Sequence, residues 1–323
     1  NILVYDFGLD GKESLIKEKQ FLNENKNNFQ AEINLIFRKI HFLRILVEDS
    51  KSRDLFDTFC AFNSVDNILF FIYGDKNGSI ICYNLIDNKK INEIKNAHKS
   101  IAILRHFFDQ INKRDLVISF PTTNEEGFKL WNINNFECMH NFINIYNNYS
   151  QISACILNYK NENYIITGCN NNSGKLKILN FIGNQIKEIA ASGNIYYIDS
   201  FDNKKLSKIF IIAGCLNYVK SLDLKNGKEF HSYYHKETEF NNCFYGVIIN
   251  IKDEIIQLIA SSNQGKVVIW DFDTGNIIKL INAYSWRFNA ICLWNNEYLC
   301  VGWGDKSIKF LDLRSEEHTS ELQ

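Results

Sequence analysis

Apolar and polar positions in residues 265–275 alternate with the period of a β-strand. Gly265 opens the stretch, Val267 and Ile269 fall on one face, and Val268 and Trp270 fall on the other. Asp271, Thr274 and Gly275 then close it with turn chemistry. A second apolar run, 255–260, stands just ahead and ends in Ser261-Ser262-Asn263. The pattern predicts two antiparallel strands joined at Gln264-Gly265, the second ending in Trp270-Asp271.

This pair of strands recurs. Strands with the same polar-then-apolar entry end at Tyr83-Asn84, Trp131-Asn132, Leu179-Asn180, Leu222-Asp223 and Leu311-Asp312. From Tyr83 onward the anchors stand 48, 48, 43, 48 and 41 residues apart. Each is preceded by an apolar run ending in a small residue: 68–73, 116–118, 164–167, 209–213, 255–260 and 298–301. These runs are apolar on both faces, as a strand flanked within its sheet and packed on a neighbouring sheet requires. Turn residues follow the third strands at Asp87-Asn88, Gly183-Asn184, Asn226-Gly227 and Thr274-Gly275. Fourth strands are predicted at 91–94, 186–189, 229–233 and 277–280.

A period of about 40–45 residues with four strands per unit is that of a β-propeller blade. On these residues the chain resembles the WD40-repeat family over roughly 55–313, with Trp270-Asp271 as the cleanest copy. The resemblance implies an all-β, WD40-type propeller, seven-bladed by family habit, with six clear anchors here. Tyr5-Asp6 reads either as a seventh anchor or as a stray terminal strand. Residues 1–11 are therefore expected to give part of a blade, and 55–313 the blades proper. Between them, 12–54 reads as a helical insertion. Ile33, Ile36, Phe37, Ile40 and Leu43 form an apolar stripe with Arg38, Lys39 and Arg44 among them. Residues 314–323 resemble the translation of a sequencing adapter and are expected to be an artefactual tail, leaving the propeller truncated at its C-terminus.

The resemblance also implies a hydrogen-bond network from a histidine before the first strand to an aspartate seven residues ahead of the final Asp. At that offset stand Asn77, Glu125, Ser173, Leu216, Gln264 and Asp305, and only Asp305 conforms. The histidine site is kept at His98, whose own blade carries Glu125, while the Asp305 blade has Tyr284 there. No blade keeps both partners, so strand packing is expected to outweigh this network. His98 reads as structural. Trp131, Trp270, Asp271, Asp305 and Asp312 read as structural anchors.

Charge and composition narrow the function. A net charge of −1 over 323 residues argues against a general nucleic-acid binder. No apolar run reaches the ~18 residues of a membrane helix, and no Arg-Arg pair of the phosphoinositide-binding kind occurs. The nine cysteines include no C-x-x-C and read as reduced thiols of a cytoplasmic protein. There is no G-x-S-x-G, P-loop, G-x-G-x-x-G after a strand or H-E-x-x-H, and no histidine spacing suited to a metal. The reading is a non-catalytic scaffold without cofactor, metal or small-molecule substrate, binding a protein or peptide partner. Two alternatives stand beside it: the regulatory propeller of a larger enzyme, or a propeller touching membranes through 31–49. The candidate partner-binding residues are Trp286, Arg287 and Trp303, on loops that open on one face of the disc.

Overall fold

Strands that are apolar on both faces need cover on both faces, and they find it as the second strands of radiating four-stranded sheets. The chain was studied as a computed structural model, which describes residues 2–5 and 59–313. Excepted are short stretches at 65–67, 76, 86, 88, 122–126, 147–150, 170–173, 192, 235–242, 253, 263–264, 283–287, 295–297 and 304–307.

After β1 (Ile2–Tyr5), the first sheet comprises β2 (Phe59–Asn63), β3 (Leu69–Gly74), β4 (Ile80–Asn84) and β5 (Lys89–Ile94). The second comprises β6 (Ile101–Asp109), β7 (Arg114–Pro121), β8 (Phe128–Asn132) and β9 (Glu137–Phe142). The third holds β10 (Gln151–Tyr159), β11 (Glu162–Cys169), β12 (Lys175–Asn180) and β13 (Gln185–Ala190). The fourth holds β14 (Ile195–Asn203), β15 (Lys208–Cys215), β16 (Val219–Asp223) and β17 (Glu229–Tyr233). The fifth holds β18 (Phe244–Lys252), β19 (Ile255–Ser262), β20 (Lys266–Asp271) and β21 (Ile277–Asn282). The sixth pairs β22 (Phe288–Trp294), β23 (Tyr298–Trp303) and β24 (Ile308–Asp312) with β1, in the order β1-β24-β23-β22.

Every pairing is antiparallel, and each predicted anchor pair ends a third strand. Tyr5 lies opposite Ile308, so β1 takes the fourth-strand place of the sixth sheet rather than the third-strand place of an anchor. Six four-stranded sheets are present among the described residues. The expectation of seven counted Tyr5-Asp6 as the seventh anchor, a place that Tyr5 does not take; the expected helical insertion at 12–54 lies outside the described residues. The tail at 314–323 also lies outside.

The core sits in the seams between successive sheets. Val117 and Trp131 meet Ile72 and Ile80 between the first and second sheets. Leu130 and Phe142 meet Ile165 and Leu179 between the second and third. Ile166 and Ile178 meet Ile211 and Leu222 in the next seam, Phe210 and Tyr233 meet Phe244 and Trp270 in the fourth, and Ile259 and Ile269 meet Leu299 and Val301 in the fifth. Second strands such as β7 and β15 are buried almost throughout, whereas the fourth strands β5 and β13 are largely exposed. First strands of consecutive sheets pack on one another around the axis.

Polar ties reinforce the seams on the hairpin side. Asp109, at the end of β6, accepts from Arg114 Nε at 2.8 Å, Asn112 Nδ2 at 2.8 Å and, from the third sheet, Asn163 Nδ2 at 2.7 Å. Burial works to raise the pKa of this carboxyl, but the hydrogen bonds overcome it and hold the value down to about 2. The folded pKa lies below the unfolded one, so the stabilisation is complete above pH ~4 and lost as pH falls toward 2. Over that interval the wild type is expected to lose on the order of 2 kcal/mol through this group. In urea titrations at stepped pH, Asp109→Asn should be less stable at pH 7 and show a flatter acid limb. An acid limb as steep as wild type would rule the role out.

Candidate functional site

Loops of the chain emerge on two faces. One face carries the hairpins joining first to second and third to fourth strands. The other carries the loops that enter each first strand and those that precede each third strand. Trp286 and Arg287 lie outside the described residues, as does Asp305. Trp303 ends β23 opposite Phe288, and Asp312 ends β24 opposite Tyr298; their side chains lie outside what the structure describes. The structure therefore does not bring the two tryptophans and the arginine together or set them apart.

The remaining anchors are placed in the framework. Trp270 is fully buried against Tyr233 and Phe244, with ring centroids 5.9 Å from each, and its Nε1 donates to Tyr234 O at 3.2 Å. Asp271 Oδ1 accepts from Thr274 N at 2.7 Å and Thr274 Oγ1 at 2.9 Å, which fixes the turn into β21. Trp131 is buried and its Nε1 donates to Ser119 Oγ at 2.7 Å. The same hydroxyl lies 2.7 Å from His98 Nε2. His98, Ser119 and Trp131 thus form a buried chain linking the loop before β6 to β7 and β8. The aspartate rule did not find Ser119; its signal was a hydroxyl at the small-residue end of the 116–118 run, within reach of both partners.

On the loop side of the fourth sheet the described residues include an aromatic pair, Tyr218 and Tyr234, and a third tyrosine, Tyr196, hydrogen-bonded with Cys243. Tyr196 is the extra residue of a β-bulge in β14, between the pairs Ile195↔Cys215 and Tyr197↔Gly214. Tyr218 occupies the turn before β16, and Tyr234 follows β17 and is more than half exposed. The Tyr218 and Tyr234 rings stand 5.7 Å apart at 57°. Lys220 Nζ lies 5.2 Å from the Tyr218 ring and 2.7 Å from Glu229 Oε2, so its charge is matched locally.

The backbone beneath is tied on both sides. Leu216 N donates to Asn194 O at 3.3 Å, and Leu216 bridges Cys243 at the entry to β18. Tyr218 Oη would be 2.9 Å from a Cβ on Gly193, whose φ is +84°, so glycine lets the ring lie across that loop. Burial pushes the Tyr218 hydroxyl up to about 12 and raises Tyr196 as well, helped there by a hydrogen bond with Cys243. Both are neutral phenols able to donate and accept. An aromatic residue in the turn before a third strand is legible in the sequence at Tyr218, but the bulge at Tyr196 leaves no local signature.

A second cluster lies at the axis. Arg105 of β6 donates through Nη1 to Ile198 O at 3.0 Å and Ala154 O at 3.4 Å, with its guanidinium 4.5 Å from the Tyr197 ring centre. Tyr197 Oη donates to Asp199 Oδ2 at 3.3 Å. Crowding against the inner wall raises the Asp199 pKa, opposed by the Ser200 N–H and by Arg105. One side chain thereby joins the first strands of three sheets. Among the described residues, no group of three or more His, Cys, Asp or Glu side chains gathers at metal-binding range. No helix of the described residues is long and apolar enough to cross a membrane.

No family model matches the sequence, and no curated protein matches it. Solved structures do. The WD40 β-propeller domain of Doa1 superposes with a TM-score of 0.59 at 17% identity, over 81% of this chain and 80% of that one. The computationally designed Ika8 protein gives 0.57 at 14% identity, over 80% and 70% respectively. At such identities the likeness is one of fold, and the fold is an all-β, WD40-type propeller.

Proposed function

We propose that the protein is a non-catalytic interaction scaffold that holds a protein or peptide partner on the face of its loops. The observation that carries this reading is the tyrosine pair Tyr218 and Tyr234 on the loop face of the fourth sheet, with Tyr196 at the bulge of β14 beside Cys243. Its rings are large, partly exposed and held by a backbone tied to the entry of the fourth sheet and to the neighbouring fifth. Rigid aromatic side chains bring contact area at little entropic cost, which is why tyrosine and tryptophan dominate interface energetics. The fold supports the same reading, since propellers set loops on a stiff disc. Trp286 and Arg287, together with Trp303 at the end of β23, belong in this proposal as a second group at the sixth sheet.

The test is cross-linking mass spectrometry of the full-length protein captured from its own cells. Partner cross-links should map to loops before first and third strands. Tyr218→Ala with Tyr234→Ala, and separately Trp286→Ala with Trp303→Ala, should reduce partner recovery at least ten-fold with a melting temperature close to wild type. Cross-links confined to the hairpin face, or undiminished recovery with both pairs replaced, would overturn the assignment.

A further inference from the structure

Five of the sheets share a feature that no local sequence pattern announces. The pairing of third with fourth strand shifts register at the same place each time. The last pair before the shift is Cys82↔Asn92, Leu130↔His140, Ile178↔Lys187, Ser221↔His231 and Ile269↔Lys279. In each case one fourth-strand residue is left over: Ile91, Met139, Ile186, Phe230 or Ile278. Residues opposite one another in a sheet share a face. Leu130 and Ile178 belong to the seams with the following sheet, so His140 and Lys187 face that sheet too.

Sheets radiating from an axis diverge outward, so at the fourth strand a seam is wide and short apolar side chains no longer close it. A long side chain with a donor head can span the gap. Lys187 Nζ donates to Leu224 O and Lys225 O, both at 2.9 Å, in the turn between β16 and β17. His231 Nε2 lies 2.6 Å from Asp273 O, in the turn between β20 and β21. His140 lies against the turn between β12 and β13, where a Cβ on Gly183 would come within 2.8 Å of its Nε2.

The geometry points to a latch used twice: the fourth-strand residue just after the bulge, Lys187 or His231, ties the third and the fourth sheet each to the outer turn of the next. Lys187 and His231 close the two seams that flank the fourth sheet. That sheet carries the tyrosine pair, so the latches hold it from both sides. The latch is a device of the fold and stands whether or not the tyrosines bind a partner.

Hydrogen exchange on the whole protein tests it. The turn amides are themselves bonded, Gly227 N to Asp223 O at 2.7 Å and Gly275 N to Asp271 O at 2.9 Å, so loosening of either turn is readable. Lys187→Met keeps the stem and removes the donor. Exchange over 224–228 should then rise at least ten-fold while 272–276 stays at the wild-type rate. His231→Leu should do the reverse, and Lys187→Arg should restore protection. Lys175→Ala is the control, because Lys175 pairs with Glu188 of its own sheet at 2.7 Å; it should leave both turns unchanged. A Met variant too unstable to assay is replaced by Lys187→Ala, read in the same way. Unchanged exchange over 224–228 in the Lys187 variant, or equal loosening of both turns in either variant, would overturn the latch.

Discussion

Trp270→Ala is expected to cost about 3–5 kcal/mol, the range for removing a large aromatic from a packed core. Nothing of Trp270 is exposed, and it fills the seam where Phe210 and Tyr233 of the fourth sheet meet Phe244 and Val247 of the fifth. Those neighbours belong to separate sheets, each held by its own ladder, so the void cannot collapse without moving a whole sheet. The indole N–H bond to Tyr234 O is lost as well, and with it a tie beneath the loop face. Trp270→Phe separates the two contributions, since it keeps a ring in the seam but removes the donor. Its cost should fall well below that of alanine. Urea and thermal unfolding measure both. An alanine variant melting within a degree or two of wild type would mean that the indole is not in this seam.

Ser119→Ala is expected to cost about 1–3 kcal/mol, out of proportion to the single oxygen removed. Its hydroxyl accepts from the Trp131 indole and meets the His98 imidazole, each at 2.7 Å. All three side chains are buried, so water cannot replace the missing oxygen, and the indole N–H keeps its desolvation cost without an acceptor. Because the members act as one chain, His98→Ala in the Ser119→Ala background should add little. A double-mutant cycle gives the coupling directly. Strict additivity of the two costs would show the histidine and the serine to be independent.

The third strands were legible residue by residue. The alternation in 265–271 and its drifted copies ends where β4, β8, β12, β16, β20 and β24 end. Period-2 patterning and the turn residues behind it act over a few neighbours, which is all that a linear reading needs. The second strands were legible at their centres, because cover on both faces leaves few polar positions in the run. The fourth strand β9 was not, since Glu137, Cys138 and His140 carry too little apolar signal for an outer strand. Nor was the pairing of β1 with β24, which joins residues about 300 positions apart and depends on where the ring brings them.

By itself, then, the sequence determined the class of the fold, the repeat, and the strand on which each anchor sits. Only the tertiary structure decided what the polar side chains do. Ser119 acquires its role from a histidine 21 residues away, Arg105 from carbonyls on two other sheets, and Lys187 from a turn 37 residues on. It also decided that Tyr196 falls at a bulge of β14 and meets Cys243 at the entry to the fifth sheet. The physical reason is common to all of these. Apolar burial is non-directional and repeats with the backbone, so it is written in the pattern. A hydrogen bond needs a particular atom within about 3 Å, and which atoms come that close is settled only when the sheets are packed.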